Sequence, residues 1–192
     1  MIERGMMASQ RGAALTHRLL AFSRKQTLLP KIFNLSTLVA GMADMLRRTL
    51  GETVYIRTTR KTGLWLCHAD QAQSENALLN LALNARDAMA DGGRLTIDTR
   101  NISLDDEIAA AQIEVEPGDY VVLIVSDTGC GIAEESLTQV FEPFFTTKPV
   151  GQGSGLGLAV VHGIVEQNGG LIRVESSPGR GASFKLLFRS IG

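Results

Sequence analysis

Three clusters in this 192-residue chain combine residue types and spacings that chemistry can use. Asn80, Asn84 and Asp87 stand at i, i+4 and i+7, so a helix carries them on one face while Ala77, Leu78, Leu81, Ala82, Ala85 and Ala88 cover the other. An Asn side-chain oxygen is a neutral ligand suited to Mg²⁺, a cation that keeps several waters and shares its shell with substrate phosphates. A solvated helix face more often uses Lys, Glu and Gln, which favour the helix more than Asn does. The second cluster is Asp127-Thr128-Gly129-Cys130-Gly131, directly after an apolar run. A carboxylate there can accept a hydrogen bond from an exocyclic amine, and the two glycines let backbone approach a flat ligand closely.

The third cluster, Gly151-Gln152-Gly153-Ser154-Gly155-Leu156-Gly157-Leu158, passes from a glycine-rich loop into a helix. Free N–H groups and the positive dipole end at such a start make an anion site. It lacks the Gly-Lys-Ser/Thr of a Walker loop and the strand that precedes a Rossmann turn. Upstream, Thr146-Thr147-Lys148 offers two hydroxyls and an ammonium that can fold over a phosphate chain as a flexible lid.

The elements that must position these groups follow from periodicity. Residues 11–29 place Leu15, Leu19 and Phe22 at helical spacing, and Pro30 stops that amphipathic helix. A second helix starts near Asn34 or Ser36 and ends at Gly51. Val54–Thr62 alternates as a strand, with Leu64–Cys67 expected as its hairpin partner across Thr62-Gly63. Asp70 caps a helix reaching about Ala90, and Arg94–Thr99 is the next strand. Residues 102–118 read as an insertion or long hairpin loop, followed by an apolar strand over Tyr120–Ser126. A short helix is predicted over Ala133–Val140 and an apolar one over Leu156–Gln167, with closing strands at Leu171–Ser176 and Ala182–Arg189. The order α, β, β, α, β, β, α, α, β, β, with several hairpins, predicts an α+β fold, a two-layer α/β sandwich with a mixed sheet preceded by one amphipathic helix.

Composition narrows the functional classes. With 44% apolar and 20% charged residues, and 5 Pro against 20 Gly, the chain is that of a folded protein with a real core. No apolar run reaches the ~18 residues of a membrane span and the first residues lack a signal-peptide pattern, so a cytoplasmic location is expected, with any membrane anchor elsewhere in a longer protein. Cys67 and Cys130 have no Cys or His at metal spacing and read as free thiols. Residues 1–62 hold 11 Lys+Arg against 3 Asp+Glu, whereas 63–192 hold 8 against 17. The basic residues sit on helical polar faces without interleaved aromatics, which argues for solvated helices and against nucleic-acid binding.

Taken together, Asn80-x3-Asn84-Ala85, Asp127-Thr128-Gly129-Cys130-Gly131-Ile132, Phe141-Glu142-Pro143-Phe144-Phe145-Thr146-Thr147-Lys148, Gly153-x-Gly155-Leu156-Gly157-Leu158 and Gly169-Gly170 resemble, in order and spacing, the N, G1, F, G2 and final glycine boxes of bacterial sensor histidine kinases. The likeness covers about residues 34–189, and Leu15–Arg24 resembles the second helix of the dimerisation and phosphotransfer hairpin of such kinases. The resemblance implies a Bergerat-type ATP-binding sandwich over 30–192, of the gyrase, chaperone and kinase (GHKL) superfamily, with part of the hairpin over 1–29. It implies ATP and Mg²⁺ as cofactors, transfer of the γ-phosphate to a hairpin histidine in a two-component phosphorelay, a response-regulator receiver as partner, and a homodimer through the hairpin helices. Carried over residue by residue, it makes Asn84 the Mg²⁺ ligand, Asn80 its neighbour near the phosphates, Lys148 a third catalytic group and Asp127 the adenine-reading carboxylate. Gly129 and Gly131 would flank the base, and Ile132 is among the ATP-binding residues. Asp87, Lys148 and Gly153, Ser154, Gly155, Leu156, Gly157 and Leu158 would complete the nucleotide contacts.

Two departures bear on this expectation. Where the family often has Thr after the last box glycine, Gly181 is followed by Ala182, which has no hydroxyl, and Ser183 is expected on the opposite face. His17 is followed by Arg18, whereas the family's acceptor histidine is usually followed by an acid, and it matches the second hairpin helix instead of the first. The expectation is therefore a kinase domain without its acceptor. A competing reading, an ATP-gated gyrase-like or chaperone-like machine, would need a water-activating Glu where this chain has Asn80, which cannot act as a general base. A third, a binding module that has lost catalysis, is opposed by the intact boxes.

Overall fold

A computed structural model of the protein describes residues 28–59, 61–105, 116–148 and 153–191. The amphipathic segment over 11–29 lies almost wholly outside them, as does most of the 102–118 insertion. Ten strands and α-helices follow in order: β1 (Pro30–Phe33), α1 (Leu35–Leu50), β2 (Val54–Thr58), β3 (Cys67–Asp70), α2 (Gln71–Ala88), β4 (Gly93–Leu104), β5 (Gly118–Asp127), α3 (Gly157–Gln167), β6 (Leu171–Ser176) and β7 (Ala182–Arg189).

Five strands form one sheet in the order β2-β4-β5-β7-β6. β2 runs parallel to β4 and every other pairing is antiparallel, so the sheet is mixed. Period-two alternation turns Leu95 and Ile97 of β4, Val121, Leu123 and Val125 of β5, and Phe184, Leu186 and Phe188 of β7 toward one buried cluster. The helices supply its other half, with Leu35, Leu38, Val39, Met42 and Leu46 from α1, Ala77, Leu78, Leu81 and Ala85 from α2, and Val161, Ile164 and Val165 from α3. Burying each of the larger of these side chains contributes about 2 kcal/mol. Alternate residues Tyr120, Val122, Leu171 and Leu187, with Leu104, form a second, smaller buried cluster.

Capping sets where the helices begin. Asn34 accepts from the Ser36 and Thr37 amides at 2.9 and 3.3 Å, and Asp70 accepts from Gln73 N at 3.1 Å. The second Asp70 oxygen takes Leu29 N at 3.0 Å, while Asp70 N donates to Asn168 Oδ1 at 2.6 Å. One carboxylate thus ties the start of α2 to the incoming chain, and its amide ties it to the end of α3. Among the described residues, no helix is long and apolar enough to cross a membrane.

Three local expectations are corrected. The hairpin of 54–62 with 64–67 does not form: β2 pairs with β4, and β3 pairs antiparallel with β1, a strand absent from the sequence reading. Alternation specifies which side chains turn inward but not which strand lies alongside. Asn101 instead holds the 63–65 segment, accepting from Trp65 N at 3.0 Å and donating to Gly63 O at 3.0 Å. The helix over Ala133–Val140 is reduced to a 3₁₀ turn at Glu134–Ser136, continued by further i to i−3 bonds as far as Phe145. Its N-cap, Ala133, has no side-chain oxygen, and Pro143 closes off helical continuation. β4 also runs on to Leu104, five residues past the expected end.

Candidate functional site

A cavity of about 760 Å³ opens between α2, the end of β5, the start of β7 and the segments on either side of α3's first turn. Its two ends are built differently.

At one end, Asp127 closes β5 with its carboxylate half-buried. Oδ1 accepts from Gly129 N at 2.8 Å and from Ala182 N at 3.3 Å, and among the described residues none donates to Oδ2. Burial pushes this carboxyl above the ordinary aspartate value, and the two amides counter part of that rise. Two loops meet there backbone to backbone. Gly131 and Gly181 both have φ of +73°, and a Cβ on either would lie 2.1 Å from Ser177 O or 2.0 Å from Asp127 O, so only glycine fits. Gly179 N donates to Cys130 O at 2.7 Å, Ile132 N to Ser176 Oγ at 2.8 Å, and Ser176 Oγ to Gly181 O at 2.7 Å. Cys130 N in turn reaches the last turn of α2 at Ala88 O, 3.0 Å away.

At the other end, α2 turns Asn80, Asn84 and Asp87 into the cavity. Asn80 Nδ2 donates to Asn76 O at 2.9 Å and to Asn76 Oδ1 at 2.8 Å. That orients its Oδ1 the other way, toward the start of α3. The Asn84 amide packs on Gly157, where a Cβ would come within 3.2 Å of Nδ2 and 3.4 Å of Oδ1, and Asn84 Nδ2 is buried without a hydrogen-bond partner. Val160 N to Leu156 O is the first backbone bond of α3, so the amides of Gly157, Leu158 and Ala159 precede the helical ladder. Lys148 Nζ donates to Asp87 Oδ2 at 2.6 Å, and Arg86 holds Asp87 Oδ1 through Nε and Nη2 at 3.1 and 2.9 Å. Burial alone would raise the Asp87 carboxyl, but the Lys148 and Arg86 hydrogen bonds and charges together bring it below the usual aspartate value.

The segment leading to Lys148 is clasped at its base. Phe144 N donates to Gly155 O at 2.9 Å, and a Cβ on Gly155 would lie 2.4 Å from Phe144 C. Phe144 itself has φ of +70°, the one such non-glycine among the described residues, and the residue is 58% exposed.

Most of the residues expected from sequence therefore line one cavity: Asn80, Asn84, Asp87, Asp127, Gly131, Ile132, Lys148, Gly153, Ser154, Gly155, Gly157 and Leu158. Gly129 and Leu156 do not. Gly129 presses on the last turn of α2, where a Cβ would meet Ala88 O at 2.6 Å, and Leu156 is buried in the core. Asp87 faces the cavity as the partner of Lys148. Ala182, expected from sequence only as a missing hydroxyl, and Phe184, which the sequence does not single out, form a wall of the cavity, on the face that the alternation of β7 assigns them. Ser183 points away and bonds Ser126 Oγ at 2.8 Å. Among the described residues, no group of three or more His, Cys, Asp or Glu could hold a metal by itself.

Comparison with known proteins converges on one family. A family model described as histidine kinase-, DNA gyrase B-, and HSP90-like ATPase matches residues 69–190. The chain is 44% identical over 178 residues to the sensor kinase CckA of Brucella abortus, covering 93% of this chain and 19% of that protein. It therefore spans about a fifth of that relative's length. Among solved structures, full-length ShkA in complex with AMPPNP matches with a TM-score of 0.71 at 24% identity, over 100% of this chain and 40% of that one. Histidine kinase ThkA in complex with the response regulator TrrA matches with a TM-score of 0.74 at 22% identity, over 97% of this chain and 49% of that one.

Proposed function

The chain belongs to the histidine kinase-, DNA gyrase B- and HSP90-like ATPases, and we propose that it is the Mg·ATP-binding, phosphoryl-donating domain of a sensor histidine kinase. The observation that carries this reading is a single cavity with a half-buried, amide-held carboxylate at one end and two Asn amides, an ammonium and the open start of a helix at the other. A flat base with an exocyclic amine suits the first end and a polyphosphate suits the second.

Asp127 Oδ2 accepts the adenine amine, with Oδ1 kept in place by Gly129 N and Ala182 N. Ala182 and Phe184 give the base an apolar wall. Asn84 and Asn80 present neutral side-chain oxygens of the kind Mg²⁺ takes together with phosphate oxygens, and the unpartnered Asn84 Nδ2 at the helix start is a free donor for one of those phosphate oxygens. Bound there, Mg²⁺ would neutralise charge on the phosphate chain. Lys148 and the amides of Gly157, Leu158 and Ala159 neutralise the rest, which is most of what phosphoryl transfer asks of a protein.

One turn before Asn84 stands Asn80, an amide tied to Asn76 that cannot take a proton from water. Hydrolysis is accordingly slow, and the acceptor is a histidine on a hairpin helix that docks in line with the γ-phosphate. The same reading makes the protein dimeric through that hairpin, with a response-regulator receiver as the onward acceptor.

The test is calorimetric titration with Mg·AMP-PNP, followed by labelled ATP. We expect nucleotide binding, little steady-state hydrolysis, and an acid-labile, base-stable label on a protein extended upstream to include the first hairpin helix. Rapid hydrolysis without such a label would favour the ATP-gated machine. Stoichiometric label on residues 1–192 alone, lost in His17→Ala, would place the acceptor within this chain.

A further inference from the structure

The assignment of this cavity to Mg·ATP leaves Asp87 without a task. It lies on the ligand-binding face of α2, yet a carboxylate near a polyphosphate repels it. Its hydrogen bonds explain its presence. Arg86 occupies Oδ1 with two donors and so fixes the carboxylate, and Lys148 Nζ takes Oδ2 at 2.6 Å. The lysine's stem is held as well, because Gly153 approaches it so closely that a Cβ there would lie 3.1 Å from Lys148 Cδ and 2.9 Å from Thr146 Oγ1. Below it, the Phe144 to Gly155 clasp fixes where the segment leaves the body. Lys148 is therefore parked on a resident anion instead of waiting free.

We propose that Asp87 is an internal competitor for the Lys148 ammonium, an anion that mimics phosphate and must be displaced when the polyphosphate enters. Resting on the Mg·ATP reading, this makes Asp87 a determinant of selectivity for highly charged ligands. A triphosphate, with Mg²⁺ beside it, outcompetes one carboxylate for the ammonium, whereas a ligand with little phosphate charge leaves Lys148 on Asp87. Arg86 keeps Asp87 neutralised from its other side after the exchange, so its charge is not left bare.

The experiment is a double-mutant cycle on the whole chain, read by the dissociation constant of Mg·AMP-PNP. Asp87→Asn should tighten binding about threefold, the scale of a half-exposed ion pair. In a Lys148→Met background the same substitution should have a clearly smaller effect, because there is no ammonium left to release. In the nucleotide-free protein, Asp87→Asn should also speed amide hydrogen exchange at residues 146–148. Weaker binding in Asp87→Asn, whatever stands at 148, would overturn the proposal by making Asp87 a direct nucleotide contact. Equal gains in both backgrounds would also overturn it, reducing Asp87 to unspecific charge repulsion. Absence of any Mg·AMP-PNP binding by the wild type would instead defeat the nucleotide reading itself, and the competition with it.

Discussion

The two ends of the cavity are held by different kinds of bond. Around Asp127 every contact engages backbone: Gly131 against Ser177, Gly181 against Asp127, Gly179 N on Cys130 O and Cys130 N on Ala88 O, with the Asp127 carboxylate and Ser176 Oγ bonded in turn to backbone groups. Around Asn84 and Lys148 they are between side chains, including the Lys148–Asp87 and Arg86–Asp87 pairs and an Asn84 amide nitrogen with no partner. A flat base is recognised by shape and one hydrogen-bond direction, which a rigid backbone cradle supplies without reorganisation. A polyphosphate that arrives, reacts and leaves demands groups that can exchange partners, and half-exposed ion pairs worth about 0–1 kcal/mol do so readily.

If this contrast is right, substitutions at the base end damage folding and those at the phosphate end damage binding. The largest effect belongs to Gly181→Val. Its side chain would collide with Asp127 O on a backbone with φ of +73°, and it should lower stability by about 3 kcal/mol or more, read as a loss of cooperative thermal unfolding at the wild-type temperature. A shift of only a degree or two would dissolve the contrast. Asn84→Ala comes next, removing Mg²⁺-dependent nucleotide binding while leaving stability nearly unchanged, because Nδ2 makes no hydrogen bond to lose. Wild-type Mg·ATP affinity would end Asn84's assignment.

Asp127→Asn sharpens the picture from inside the base end. It should cost about tenfold or more in ATP affinity and erase discrimination against GTP, since an amide offers a weaker, uncharged acceptor. Its effect on stability has a defined sign. Because burial raises the folded carboxyl above its unfolded value, the folded state holds the proton more tightly, and the Asp127 contribution declines as pH rises through that window. The variant should therefore gain on the wild type in urea titrations as the pH is raised past the ordinary aspartate range. The opposite trend would mean that the two amides outweigh burial.

Both ends left traces in the sequence, of unequal clarity. Asp127, Gly131, Asn80, Asn84 and the Gly153–Leu158 turn were legible because each is needed for local geometry: a strand end, a helical face, a helix start. The caps Asn34 and Asp70 and the two closing strands were legible for the same reason. What was not legible depends on distant parts of the chain. β1 was hidden because four residues opening on Pro30 carry no alternation long enough to read, and their partner β3 lies 37 residues away in sequence. Gly129 and Leu156 sit in the right motifs but turn toward α2 and the core, a distinction set by packing of whole elements. Asp87 was placed on the correct face, yet its pairing with Lys148 across 61 residues could come only from the fold.

The smallest effect asks whether the base really lies against the backbone cradle, and the chain's two described thiols allow it to be read without mutation. Cys67 is fully buried, its thiol is pushed up to about 12 by burial, and its Sγ rests against Phe33 O at 3.5 Å. At pH 8 this thiol stays protonated, and the reagent cannot reach it without opening β1 and β3. Cys130 is exposed and lines the cavity between Asp127 and Gly131. N-ethylmaleimide should therefore modify Cys130 in the native protein, and Cys67 only after denaturation. Cys130 lines the cavity beside Asp127, so a base bound against Asp127 would cover part of its side chain. Mg·AMP-PNP should then slow Cys130 modification about two- to fivefold, and inorganic triphosphate, which engages only the phosphate end, should leave the rate unchanged. Equal protection by both ligands would show that the cavity closes as one unit, and that its two ends are not the separate devices their bonding makes them.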